Sequence, residues 1–241
     1  TKVAVYVLLR FMYGVFGSSF TFDSMPLQFI LMVLGALAVL SGSTIAVFQH
    51  NIKRMLGYSS VAQIGYMILG LSLASVSGLT ATLVHLLNHA LMKGGLFLAV
   101  ACMAYQLGGV RLADLAGTGQ RMPWTSAAFV VGGLSLIGVP LTAGFISKWM
   151  LVVAVLETGW WPLLIVIAAG SLLTVAYIWR VIEMIYFRSA ATADGPPQEA
   201  HWSLLAPVWL LIAANIYFGI DTQWSVDVAR LAAQLLFGVH A

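Results

Sequence analysis

Seven runs of this chain are apolar, at approximately residues 1–16, 25–49, 55–75, 77–106, 123–157, 160–188 and 203–220. Each is long enough to cross a lipid bilayer or, for the first, nearly so. Hydrocarbon offers no water to a backbone N–H or C=O, so runs of this kind satisfy themselves as helices. Hydrophobic residues make up 61% of the sequence and charged residues 8%, which no soluble globular domain matches. The expected fold class is an all-α integral membrane protein with about seven transmembrane helices. With so few charges, the net +3 reads as loop bias that sets orientation, and nucleic-acid binding has no support. Cys102 is the single cysteine, which rules out an internal disulfide and a cysteine-held metal cluster within the chain. No redox cofactor site, Gly-rich phosphate loop, His/Glu metal pair or nucleophile constellation can be read, and the eight Trp and twelve Phe reflect lipid-facing packing.

The chain starts at Thr1 without methionine, and its first run spans only about 24 Å at 1.5 Å per residue. A longer protein cut inside a helix is therefore expected. Asp23-Ser-Met-Pro26 and Arg121-Met-Pro123 supply turn and helix-start chemistry, and SLASVSG separates the third run from the fourth. Alternate connections differ in charge: one face receives Lys53, Arg54, Arg111, Arg121 and Arg188, the other Asp23, Glu157 and Asp221, with Arg230 late in the tail. By the positive-inside rule the first face is cytoplasmic, the chain begins inside and its C-terminus lies outside, as expected for a bacterial inner membrane protein.

The fifth run is too long for one untilted span and contains Gly138, Pro140 and Gly144. Proline removes a donor and clashes with the preceding turn, so a break near 138–144 frees carbonyls at membrane depth. Such backbone survives only where protein or a wet cavity covers it, and broken helices build ion sites. Lys148 follows two turns later, close enough to share that cavity. His85, His89 and Lys93 are each four residues apart and project from nearly one face of the fourth helix. An ammonium at the bilayer centre costs roughly 2.5 to 3.5 kcal/mol, so such residues usually face a wet interior and mark an ion path. Successive members lie about 6 Å apart along the axis, too far for direct proton transfer, which makes this a water-bridged relay. Histidine suits it because its unperturbed pKa of about 6.5 lets it gain and lose a proton at cellular pH. The alternative is a polar stripe, with Asn88 alongside, that only hydrogen-bonds across helices.

Other polar residues carry plainer expectations. Lys2 reads either as a flank that snorkels or, if the helix extends upstream, as intramembrane. Lys53 marks topology, and Glu157 is a candidate channel-mouth acid. Ser59 and Ser60 are expected near the start of the next helix's ordered part. Arg180 and Glu183 are expected to form a local ion pair. Residues 189–200 read as an exposed loop, and Trp224 to Phe237 as an interfacial amphipathic helix.

Four segments, TKVAVYVLLR, QHNIKRMLGYSSVAQIGY, HLLNHALMKGGLFLA and GVPLTAGFISKW, together with the tail WLLIAANIYFGIDT, give the chain a resemblance to a known family. It resembles the antiporter-like, proton-conducting membrane subunits of Mrp-type Na+/H+ antiporters, respiratory NADH:quinone oxidoreductase (complex I) and membrane-bound hydrogenases. Members have fourteen helices in two inverted five-helix repeats, each with a broken helix. The resemblance implies the C-terminal half of such a protein: residues 1–16 as the truncated last helix of the first repeat, 25–188 as the second repeat, and 203–241 as the final helix and amphipathic tail. It implies a proton relay of Lys2, His85, His89, Lys93 and Lys148. Lysine rather than glutamate at 148 leans toward the D-type component of an Mrp antiporter, with complex I or a membrane-bound hydrogenase as the alternative. Asn51 stands where the family usually has aspartate, which puts charge pairing with Lys53 in doubt. The family's first half-channel pair falls upstream of Thr1. Implied partners are other membrane subunits, lipid, protons and, in the Mrp case, Na+; no resident cofactor is implied.

Overall fold

The computed structural model describes residues 2–17, 20–25, 27–188 and 199–238, with the side chains of Asp23 and Ser24 left aside. Among these residues the chain is all helical. α1 (Lys2–Leu9) runs on into a π-helical stretch over Arg10–Val15, and a second π-helical turn covers Phe20–Ser24. There follow α2 (Leu27–Val47), α3 (Ile52–Ser72), α4 (Val76–Leu107), the short α5 (Thr118–Arg121), α6 (Pro123–Ile137), α7 (Ala143–Thr158), α8 (Pro162–Phe187), α9 (Trp202–Ile220) and α10 (Gln223–Phe237). Four of them, α2, α4, α8 and α9, are long and apolar enough to cross a membrane. α3 matches α2 in length, but Lys53, Arg54, Ser59, Ser60 and Gln63 dilute its apolar character. The fifth run divides into α6 and α7.

Local chemistry accounts for most boundaries. Asn51 caps α3, its Oδ1 accepting from the backbone N–H of Lys53 and Arg54 at 3.0 and 3.2 Å. The amide at 51 thus serves the helix end and leaves Lys53 exposed, with no carboxylate from that position beside it. Ser59 and Ser60 do not mark the start of ordered helix, because α3 is already two turns old there. Pro123 and Pro162 open α6 and α8, where the missing N–H costs nothing. Pro26, which was expected to open the second run, lies outside the described residues.

α4 is the central post, packed against α3, α6, α7, α9 and α10. Loops carrying the basic residues gather at one end of the bundle. Ile52 N–H donates to Val110 C=O at 3.0 Å and Leu112 N–H to His50 C=O at 2.8 Å, while Gly117 N–H reaches Met184 C=O at 3.2 Å. The local pair expected of Arg180 and Glu183 does not form. Arg180 reaches across to the carbonyl of Val47 at the end of α2, and Glu183 takes Arg188 at 2.8 Å. The end of a neighbouring helix offers unpaired carbonyls, which hold a guanidinium more strongly than an exposed carboxylate one turn away.

Residues 189–198 of the expected loop lie outside the described residues. Glu199, at its end, is a capping residue: its carboxylate accepts from the backbone N–H of Trp124 at 2.8 Å and of Thr125, and from the Thr125 hydroxyl. It supplies to the first turn of α6 the acceptor that Met122 lacks. The tail is helical as expected, but small residues face the protein. Ser225, Ala229 and Ala233 are buried, while Trp224, Val228, Leu231 and Leu235 form an exposed apolar stripe.

Candidate functional site

α3 and α4 are antiparallel neighbours joined by a tight turn, so their residues pair in descending register. Tyr66 meets His85 with ring centroids 6.1 Å apart, and Ser59 meets Lys93. Gln63, four residues after Ser59 and three before Tyr66, lies between these pairs at the level of His89. The His85–His89–Lys93 face of α4 therefore looks onto a polar face of α3.

Burial puts all three basic residues of this α4 face inside the protein: His85, His89 and Lys93 are 3%, 2% and 3% exposed. The Lys93 ammonium donates to the Leu56 carbonyl at 2.9 Å and to the Ser59 hydroxyl. His89 stacks parallel to His85 at a centroid distance of 6.1 Å. His85 Nδ1 is 2.8 Å from the hydroxyl of Ser147, one residue before Lys148 on α7. The sequence thus placed the histidines in register, and the structure brings their far end to α7 at Ser147, with the Tyr66 ring lying near both His85 and the Lys148 ammonium.

Lys148 sits where the fifth run breaks. α6 ends at Ile137; Gly138 follows in the left-handed region at φ +95°, and its N–H turns back to Leu134 and Ser135. The carbonyls of Leu136 and Ile137, left without helical donors, accept from the Lys148 ammonium at 3.0 and 2.9 Å. Ser171 of α8 adds a contact at 3.4 Å, and the ammonium lies 5.1 Å from the centroid of the Tyr66 ring. Leu141, a non-glycine residue at φ +70°, marks the strain of the break.

Several polar atoms along this line have no protein partner: both His89 ring nitrogens, His85 Nε2, Asn88 Oδ1 and both ends of the Gln63 amide. Each is buried, and a buried polar atom left unsatisfied costs about 1 to 3 kcal/mol. Polar groups in such positions are the kind that ordered water satisfies in protein interiors.

Lys2 is half-buried and lines a cleft of about 410 Å³ together with Ser60, His89, Lys93 and Phe97. It is therefore brought to the Lys93 end of the line. Lys53 is exposed on the first turn of α3 and takes no part. Glu157 is also exposed; it lines a separate cleft of about 550 Å³ with Ser77, Thr80, Trp149, Arg230 and Gln234. Sequence reasoning missed Ser147, Gln63 and Tyr66. Their only signal is a polar residue within an apolar run, which many helices carry for packing alone.

Comparison with known proteins adds the lineage. The family described as NADH:quinone oxidoreductase/Mrp antiporter, TM, matches residues 1–174. The chain belongs to this family. NADH-quinone oxidoreductase subunit N of Desulforudis audaxviator is 41% identical over 221 residues, covering 88% of this chain and 43% of that protein. The chain thus spans less than half the length of this relative. Among solved structures, the Mrp complex from Dietzia sp. aligns with a TM-score of 0.89 at 25% identity over 98% of this chain and 51% of that one. Respiratory complex I from Thermus thermophilus aligns with a TM-score of 0.84 over 98% of this chain and 50% of that one; at 19% identity it speaks for the fold alone.

Proposed function

We propose that this chain is the C-terminal half of a proton-translocating, antiporter-like protein of the complex I type, set among other membrane subunits. Protons pass along Lys2, Lys93, His89, His85 and Lys148 through bridging water, driven by quinone reduction elsewhere in the assembly. The observation that carries this reading is the succession of buried basic groups, from the Lys93 ammonium on Ser59 past His89 and His85 to the Lys148 ammonium on the carbonyls of Leu136 and Ile137. In this reading α1 with its π-helical continuation, α2, α3, α4, the α6–α7 pair, α8 and α9 are seven crossings of a bacterial inner membrane. The end bearing Lys53, Arg54, Arg111 and Arg188 is cytoplasmic, the chain enters from that side and α10 lies outside. The inverted repeat of the family occupies residues 25–188.

The relationship to subunit N at 41% identity favours the complex I type over the D-type component of an Mrp antiporter. Lysine at 148 and the Mrp alignment keep the second reading in play. Reconstituted vesicles holding the complete complex separate the two. NADH-driven proton pumping that requires this protein supports the first; sodium-dependent antiport without an electron donor replaces it with the second. Pumping unchanged in assembled Lys93→Ala and Lys148→Ala proteins removes the relay altogether.

A further inference from the structure

The break between α6 and α7 is held from a third helix. Thr142 precedes α7 but its side chain does not cap it; the hydroxyl turns back to the Val139 carbonyl at 2.6 Å. The first donors of α7 are satisfied by other residues. Ala143 N–H donates to Asn215 Oδ1 on α9 at 3.3 Å, and Gly144 N–H to the Ser135 hydroxyl at 3.1 Å. Ser135, on the last turns of α6, in turn donates to the same Asn215 Oδ1 at 2.8 Å. One amide oxygen therefore ties the end of one half-helix to the start of the next.

Two further observations place Asn215 at this joint by design of the packing. The side chain is 1% exposed, and its Nδ2 has no partner within the chain, so a buried donor remains at the joint for water. One turn along α9, Gly219 lies so close that an added Cβ would meet the Leu141 carbonyl and Thr142 backbone. Asn88 of α4 completes the clamp by donating to the Ala143 carbonyl at 2.7 Å. What the clamp fixes is the offset between α6 and α7. The carbonyls that receive the Lys148 ammonium belong to the last turn of α6, while Lys148 itself rides on α7, so that offset sets the ammonium's oxygen contacts.

We propose that Asn215 is a positioning residue for proton exchange at Lys148, acting by locking the two half-helices so that the carbonyls of Leu136 and Ile137 face the ammonium. The proposal rests on the relay reading above. Lys148 exchanges its proton against these carbonyls, with Tyr66 of α3 and His85 of α4 the titratable groups nearest to it, so loosening the joint moves the working pH range.

The test uses the full-length protein in its complete complex, reconstituted in vesicles, with proton translocation measured against pH and expressed per assembled complex. Asn215→Leu, near in volume, and Ser135→Ala each shift the profile by about one unit. The double variant shifts no further than the larger single one, because both changes open the same bridge. Lower thermal stability with an unmoved pH profile in both variants means the amide only holds the fold, and overturns the proposal. Where Asn215→Leu does not assemble, Ser135→Ala decides the matter alone. Lys148→Ala separates this inference from its foundation: normal translocation without Lys148 ends the relay reading, whereas lost translocation beside unmoved Ser135→Ala and Asn215→Leu profiles ends only the role of Asn215.

Discussion

Two buried lysines are housed here in opposite ways. Lys93 meets an intact helix: its ammonium finds a side-chain hydroxyl, Ser59, and a carbonyl, Leu56, that the Ser59 and Ser60 hydroxyls also use. Lys148 meets a helix that has been opened, and its ammonium takes two carbonyls that no backbone donor claims. The first host is written in side chains and can be edited one residue at a time. The second is written in backbone, and only a change in the path of the chain can alter it. Buried ammonium groups need such oxygens, and the pair shows that a helix can supply them by decoration or by interruption.

The strongest way to break this comparison is to remove each guest. Lys93→Ala and Lys148→Ala are both expected to lower proton translocation at least about tenfold, equivalent to about 1.4 kcal/mol, with assembly retained; a large loss in one and none in the other would show that the two sites are not in series. Next comes the opened backbone. A Cβ at Gly144 would run into the carbonyl of Ser135, so Gly144→Ala is expected to cost about 1 to 3 kcal/mol of stability and to disturb Lys148 rather than Lys93. Thermal unfolding of the purified complex reads the first effect, and the pH profile of translocation the second.

Editing the decorated host should have a smaller effect. Ser59→Ala takes one hydrogen bond from an ammonium, worth about 1.5 to 3 kcal/mol, yet Lys93 keeps the Leu56 carbonyl, so translocation is expected to fall by less than in Lys93→Ala. Smallest of all is Ser171→Ala. Its hydroxyl stands at 3.4 Å from an ammonium already held by two closer carbonyls, and translocation per complex should stay within about twofold of the unaltered protein. A drop as deep as that of Ser59→Ala would mean that Lys148 depends on side chains after all.

The sequence disclosed the guests more readily than their hosts. Three ionisable residues at four-residue spacing declare one helix face, and Gly138 with Pro140 declares a break, so His85, His89, Lys93 and Lys148 were legible without coordinates. Ser59, Ser147 and Asn215 were not, because an uncharged polar side chain in an apolar run gains its meaning from a partner on another helix. Asn215 even lies within the tail segment that carries the family resemblance, with nothing local to distinguish it. The mispairing expected of Arg180 and Glu183 has the same origin: near neighbours are visible in a sequence, while the carbonyl of Val47 lies far away in the chain. Element boundaries followed capping chemistry and came out close to the sequence reading.

Glu199 has a consequence for alignment. Just before α9 begins, it grips the first turn of α6, and Asn215 grips the last turns of α6 from farther along the same helix. α9 is thus a splint strapped to α6 at top and bottom. Through Ala143 N–H the same helix also holds the first turn of α7, so the carbonyls that receive the Lys148 amine and the helix that carries it are both referred to one rail.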